Sequence, residues 1–286
     1  MPNHPITSAA LDFSELRKSQ GHKYDHGHAL VLSGGPGRTG AARMAARGAL
    51  RIGAGAVTLA VSPAAQMEVA VQITALMLAR VAEAHDLTNL LEDTRLNALC
   101  LGPGLGLHAR EASLVGAALD SGRAAVLDAD ALTLLSRDAT LFDALHAGCI
   151  LTPHAGEFAR LFPDLSDRLM SEDGDGAAEA AREGARRAGC TVVLKGADTY
   201  VAHPDGAVGH HAATGRRAVP WLATAGAGDV LCGFITGLLA RGWAPSAAAE
   251  MAVYLHVECA RTFGAGLLAE DLPEILPRVL ARLLAD

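Results

Sequence analysis

Short, continuous apolar runs separated by amphipathic stretches recur along this chain, and no other feature narrows its fold as much. Ala29–Ser33, Val57–Val61, Leu96–Leu101, Ala124–Leu127, Cys149–Thr152 and Thr191–Leu194 read as strands with no polar face to offer to water. Gly40–Ile52, Arg110–Ser121 and Ala177–Gly189 carry helical periodicity between them. Strands of that kind must be covered on both faces. The pattern therefore predicts an α/β chain, a three-layer α/β/α sandwich with a mainly parallel central sheet. Beyond the last run, Thr199–Ala202 and Ala207–His211 flank Pro204-Asp205-Gly206, where Asp-Gly suits a tight hairpin turn. Three helices should follow, near Asp229–Arg241, Ala247–Phe263 and Leu272–Leu284, and the acidic stretch Ser171–Gly176 reads as an exposed loop. With no linker, repeat or heptad, residues 1–286 are expected to form one domain.

Composition mainly excludes. Half of the 286 residues are apolar, which argues against disorder, and the net charge of −7 argues against a surface built for nucleic-acid phosphates or anionic lipid. No apolar run is long enough for a bilayer, and the opening MPNHPITSAALDF has neither the basic start nor the apolar core of an export signal. The expectation is a cytoplasmic protein with neither nucleic-acid nor membrane partners. Cys100, Cys149, Cys190, Cys232 and Cys259 are odd in number and form no CxxC pair, so they read as buried thiols. His22, His26 and His28 lack a supporting carboxylate or thiol at metal-ligand spacing and read as loop histidines. Arg182, Arg186 and Arg187 read as a solvated helix face.

The chemistry concentrates where the strands end. In an open parallel sheet, ligands bind at the carboxyl ends of the strands, and six segments put Gly or Asp there. Ser33–Ala42 (SGGPGRTGAA) has phosphate-loop glycine spacing, but Ala41-Ala42 stand where a Walker A loop needs Lys and Ser/Thr. It is either a tight turn or a place where a ligand approaches the backbone at Ala41. Gly102-Pro103-Gly104-Leu105-Gly106 lacks the GxGxxG spacing of a dinucleotide fingerprint and suits close backbone approach instead. Asp128-Ala129-Asp130 offers paired carboxylates for acid/base work or a hydrated Mg²⁺, or a helix cap at Asp130.

In Thr152–Glu157 (TPHAGE), His154 ends a strand as a candidate substrate contact and Glu157 suits the start of a helix. Lys195-Gly196-Ala197-Asp198-Thr199 offers a point positive charge beside a backbone that a phosphate can reach. Thr224–Asp229 (TAGAGD) is the most informative of the six. Small residues at Gly226, Ala227 and Gly228 leave free N–H groups at a helix N-terminus, an anion hole for a phosphoryl group. Asp229 beside them is placed to take a proton from an attacking hydroxyl, with a simple N-cap as the alternative.

Taken in order, GGPGRTGAA, LGPGLG, LDADAL, LTPHAGEFARL, VVLKGADT and ATAGAGDVLCGFITGLLA resemble the ribokinase-like superfamily, and within it the ADP-dependent NAD(P)H-hydrate dehydratases. The resemblance runs from about Lys23 to His256. It implies repair of NADH or NADPH that has added water across the nicotinamide ring. ADP phosphorylates the ring hydroxyl of the S epimer, and phosphate then leaves, giving NAD(P)H, AMP and phosphate. By position, Ala41, Gly104, His154 and Asp229 match residues that contact the hydrated dinucleotide. Lys195, Gly196, Ala197, Asp198 and Thr199, with Gly228, match those that hold the adenine nucleotide.

The resemblance also implies Mg²⁺, ADP as co-substrate and a homotetramer. His154-Ala155-Gly156-Glu157 has the spacing at which many related kinases carry Asn and Glu around the metal, so Glu157 is a candidate for indirect contact with it. Ala227 stands where Ser is frequent, a change that a hole made of backbone N–H groups should tolerate. Some members carry a fused N-terminal epimerase. Little chain precedes the first motif here, so a separate epimerase is the expectation. The alternatives are a kinase of the same fold acting on a vitamin-precursor alcohol and a catalytically idle nucleotide sensor. An oxidoreductase is weaker, for want of the fingerprint.

Overall fold

The computed structural model describes residues 3–170 and 176–285. The strands are β1 (Asn3–Pro5), β2 (His28–Leu32), β3 (Ala56–Val61), β4 (Met77–Arg80), β5 (Leu96–Leu101), β6 (Ala124–Leu127), β7 (Cys149–Leu151), β8 (Thr191–Leu194), β9 (Asp198–Ala202) and β10 (Val208–Ala212). They form one sheet in the order β1-β10-β9-β8-β7-β6-β5-β2-β3-β4. Every pair is parallel except β8–β9 and the β9–β10 hairpin.

The helices are α1 (Gly40–Arg51), α2 (Gln66–Ala70), α3 (Ala84–Leu90), α4 (Ala109–Asp120), α5 (Ala129–Arg137), α6 (Ala139–Asp143), α7 (Ala155–Leu161), α8 (Gly176–Ala188), α9 (Ala227–Ala240), α10 (Pro245–Phe263) and α11 (Asp271–Leu283). Successive residues of β2 feed opposite cores. Ala29 and Val31 pack with α1, α9, α10 and α11, whereas Leu30 and Leu32 pack with α4, α5, α7 and α8. That period-2 division of a wholly apolar strand is what the three layers require.

Each strand run and helix expected from the sequence is present, with ends moved by a residue or two. The expected loop Ser171–Gly176 lies outside the described residues except for Gly176, which opens α8 instead. The edge strands β1 and β4 and the short helices were not anticipated. Among the described residues no helix is long and apolar enough to cross a membrane. All five cysteines are free and buried. His28 is a buried strand residue hydrogen-bonded to Thr58 (2.8 Å) rather than a loop residue, because β2 starts one residue earlier than its apolar run. The arginines of α8 are paired rather than merely solvated: Arg182 with Glu179, Arg186 with Glu183, and Arg187 with Glu183 and Asp164.

The closest helix pair is α1 against α9. A Cβ on Gly233 would stand 2.1 Å from the Ala45 carbonyl oxygen, and one on Gly237 would stand 2.5 Å from that of Ala49. The glycines at i and i+4 therefore form a groove in which the two backbones touch. This seam brings the N-terminus of α1, after the first glycine loop, beside that of α9, after the sixth.

Candidate active site

The glycine loops meet at the carboxyl ends of the parallel strands. A Cβ on Gly34 would reach to 1.9 Å from the Gly104 carbonyl oxygen, and one on Gly104 would lie 3.7 Å from the Ala41 Cβ. The first two loops are thus in contact, with Ala41 and Gly104 facing one another. Asp130 ties them to the third: its Oδ2 accepts hydrogen bonds from Arg38 (3.0 Å) and the Gly106 N–H (2.8 Å).

Asp128 turns the other way. Its Oδ1 accepts from the Lys195 ammonium at 2.7 Å and the Thr152 hydroxyl at 2.9 Å, and the residue is buried. Each carboxylate of the Asp-Ala-Asp motif is thus already matched to a different cation, and the two do not form a shared cation site. Among the described residues no group of three or more His, Cys, Asp or Glu has metal-binding geometry. Between them, Ala129 has φ +45°, in the left-handed region, which costs about 1–3 kcal/mol for a side-chain-bearing residue. Contacts on both sides hold that kink in place.

The sixth loop enters α9 through Gly226, whose φ of +92° favours glycine. No side chain caps this helix, and its first turn begins with the Val230 N–H to Gly226 carbonyl bond (3.1 Å). Geometry therefore leaves the preceding N–H groups of Gly228 and Asp229 outside the helical ladder, with the positive end of the dipole behind them. Ala227 spends its N–H on a 3.3 Å turn contact with Thr224, so it contributes less to an anion hole than its neighbours. A Cβ on Gly228 would lie 3.4 Å from Lys195 Nζ, which puts the ammonium against this first turn.

Burial, reinforced by the Asp128 charge and partly offset by Lys195, raises the Asp229 carboxyl to about 6. Burial is the largest influence and works to lower the Lys195 value, but the charge and hydrogen bond of Asp128, together with Cys232 and Glu157, outweigh it and the ammonium is held above its ordinary range. Paired groups with their proton affinities displaced in a cleft are the usual mark of a reaction centre.

A cavity of about 710 Å³ opens beside these groups, bounded by Lys195, Gly196, Ala197 and Thr199 on one wall and Ala227 and Gly228 on another. Its remaining lining comes from the stretch Ala213–Thr224 and from α10 and is mostly apolar, as a flat aromatic base would require. Asp198 does not line it; its carboxylate takes a 2.9 Å hydrogen bond with His210 on the neighbouring strand.

His154 is the N-cap of α7. Its Nδ1 accepts from the Gly156 N–H (3.0 Å), and the His154 N–H donates to Glu157 Oε2 (2.9 Å). The ring is more than half exposed, and its Nε2 stands 3.5 Å from Glu157 Oε1. The backbone of His154 bridges to Lys195, which sets the fourth loop beside the fifth.

Sequence reasoning missed His256. This buried residue of α10 donates from Nε2 to the Ala227 carbonyl oxygen at 2.8 Å, and burial depresses its pKa to about 4. A neutral imidazole thus pins the first turn of α9 from behind. A lone histidine inside an apolar helix carries no signal of that contact. The Asp128–Lys195 pair, 67 residues apart, was equally hidden, although both motifs had been singled out.

Comparison with known proteins gives the family and the fold. The NAD(P)H-hydrate dehydratase family profile matches residues 29–278. An ADP-dependent (S)-NAD(P)H-hydrate dehydratase of Xanthomonas campestris is 34% identical across 97% of this chain and 96% of its own length. A bifunctional NAD(P)H-hydrate repair enzyme of Moorella thermoacetica is 38% identical across 98% of this chain. The chain spans about half of that bifunctional relative, 54% of its length. The crystal structure of an ADP/ATP-dependent NAD(P)H-hydrate dehydratase from Bacillus subtilis, co-crystallised with ATP and Mg²⁺, superposes with a TM-score of 0.77 at 30% identity over 98% of each chain. The sheet and its two helical layers are accordingly ribokinase-like. The chain belongs to the NAD(P)H-hydrate dehydratase family.

Proposed function

We propose that this chain dehydrates the S form of hydrated NADH and NADPH at the expense of ADP, as one catalytic domain over residues 1–286. The observation that carries the reading is the meeting of a partly buried carboxylate of raised pKa, Asp229, with a cationic Lys195 at an uncapped helix N-terminus beside a nucleotide-sized cavity.

A ring hydroxyl leaves poorly, and phosphate leaves well. Asp229 takes the hydroxyl proton as that oxygen attacks the β-phosphorus of ADP, and AMP departs with the electron pair of the broken P–O bond. The N–H groups of Gly228 and Asp229, with support from Gly226 and Ala227, face the negative charge on the phosphoryl oxygens. Lys195 offsets the same charge from below, while Gly196, Ala197 and Thr199 border the adenine nucleotide. The ring nitrogen then pushes its electrons in, phosphate leaves with the C–O pair, and a proton is lost from the neighbouring carbon. Ala41, Gly104 and His154 border the nicotinamide side.

Mg²⁺ supplies positive charge to the nucleotide phosphates when bound. The donor set fits it: Mg²⁺ keeps most of its water and takes one or two carboxylates, and Glu157 is a buried carboxylate whose Oε2 accepts the His154 N–H while Oε1 makes a looser 3.5 Å contact with His154 Nε2. Glu157 would hold the ion through water.

The same reading puts the enzyme in the cytoplasm as a homotetramer, functionally linked to an epimerase that converts the R form. Incubation of hydrated NADH with ADP and Mg²⁺ should restore the absorbance band of reduced nicotinamide and release AMP. Phosphorylation of a thiazole or pyridoxal-like alcohol by ATP, without that recovery, would replace this reading with the kinase alternative. Light scattering tests the tetramer.

A further inference from the structure

We propose that Asp128 is a positioning residue for this centre: it pins Lys195 against the first turn of α9 and balances its charge, while standing as the anionic neighbour of Asp229. The inference rests on the proposed reaction and adds to it a residue outside the loops that touch either ligand.

Four observations converge on Asp128. Its carboxylate is buried, which leaves solvent little part in screening it. One oxygen, Oδ1, is fully occupied by the Lys195 ammonium at 2.7 Å and the Thr152 hydroxyl at 2.9 Å. The other, Oδ2, faces α9, lying 3.9 Å from where a Cβ on Gly228 would be. The backbone is fixed from both sides: the Asp128 carbonyl oxygen lies 1.8 Å from the Cβ position of Gly102, and Ala129 holds φ +45°. A group clamped this firmly sets the geometry of what it touches.

The charged groups facing Asp229 are Asp128 and Lys195, with the thiols of Cys100 and Cys232 buried beneath. Asp128 and Lys195 form a nearly neutral pair. The anionic nucleotide then meets the free N–H groups of α9 rather than a full positive charge, and Asp229 meets a like charge that favours its taking a proton. Removing the Asp128 charge alone should therefore have opposite effects on the two ligand events. The site becomes more positive, so ADP binds more tightly. Asp229 loses its anionic neighbour and becomes a weaker base, so turnover falls. A purely structural role predicts no such split.

The test uses the full chain and ADP itself as probe, with dissociation constants measured by calorimetry at low salt. Asp128→Asn keeps an oxygen for Lys195 and Thr152 while removing the charge. Lys195→Met leaves the pair net negative, and the double variant restores neutrality. Removing both members of a buried pair spares the fold the cost of a lone buried charge. The double variant thus keeps the test open even where a single change fails to fold.

The expected order of ADP affinity is Asp128→Asn tightest, then the unaltered chain, then the double variant, which lacks the Lys195 contact but carries no uncompensated negative charge, with Lys195→Met weakest. Each step should be about three- to tenfold. In turnover of hydrated NADH, Asp128→Asn should lower kcat while lowering the KM for ADP, and its acid limb should move to lower pH. Weaker ADP binding in Asp128→Asn, a double variant as weak as Lys195→Met, or an unmoved acid limb overturns the proposal. An unaltered chain that binds ADP yet leaves hydrated NADH untouched overturns the proposed reaction instead, and the affinity order still decides the placement of charge. Failure of the unaltered chain to bind ADP overturns both.

Discussion

Replacing Asp229 with Asn should make the protein more stable and nearly inactive at once. The carboxyl sits at about 6 against an ordinary 3.8, because burial and Asp128 disfavour its ionised form more than Lys195 favours it. That displacement corresponds to about 3 kcal/mol of penalty on the charged group above pH 6. Asn carries no charge but must still bury an amide, so the expected gain is about 1–3 kcal/mol. At this chain length, that raises the melting temperature by roughly 2 °C per kcal/mol.

The pH window follows from the direction of the shift. The folded-state pKa lies above the unfolded one, so the native protein binds more protons between about pH 4 and 6. Its stability falls as pH rises through that interval. The variant escapes this loss, so its advantage should vanish near pH 4 and be complete by pH 7. Turnover should drop about 10²–10⁴-fold, the ordinary worth of a general base, while ADP binding is retained. Paired thermal melts at pH 4 and 7, with the nicotinamide absorbance assay, measure both effects. Undiminished turnover would refute Asp229 as the base, and equal melting temperatures at pH 7 would refute the claim that its charge is held at a cost.

Ala41→Leu fills the gap between the first two glycine loops, where the Gly104 Cβ position is only 3.7 Å away. It should raise the KM for hydrated NADH at least about tenfold and leave the ADP dissociation constant unchanged by calorimetry. Gly233→Val drives a side chain into the Ala45 carbonyl, 2.1 Å from the Cβ position. A destabilisation of about 3 kcal/mol or more should appear in urea unfolding. His256, held near pKa 4, lies below its ordinary 6.5 in the folded state. Its contribution is present above pH 6.5 and lost as pH falls toward 4. His256→Gln can still donate to Ala227, so its stability should fall less steeply than that of the unaltered chain across that interval, as read by urea midpoints.

Much of the layered fold was legible because β2, β3, β5, β6 and β8 are nearly wholly apolar runs bounded by turns, and only a doubly covered sheet can hold them. Asn3–Pro5 escaped notice because three residues with no apolar pattern owe their strand conformation to pairing with β10, a partner about two hundred residues away. Met77–Arg80 is an edge strand with exposed ends, so burial left no imprint on its sequence. The loops of the site could be read one by one, since Gly and Asp after a strand have local causes. What joins them could not. The Asp128–Lys195 ion pair and the His256–Ala227 contact exist only once strand order and helix crossing are fixed. Asp130 looked equivalent to Asp128 in sequence, yet it serves Arg38 and Gly106, because the turn at Ala129 sends the two carboxylates apart.

The glycine seam between α1 and α9 has a consequence for how the two ligands communicate. Helices whose backbones touch cannot slide independently, so the neighbouring helix tips at Ala41 and Gly228 move together as one rigid body. A dinucleotide that tilts α1 on binding must shift the amides of α9, which are proposed to face the ADP phosphates. By thermodynamic reciprocity, ADP must alter affinity for the dinucleotide by the same factor. Prying the seam apart at Gly237 with a larger residue would then act as a clutch, leaving each ligand to bind without news of the other.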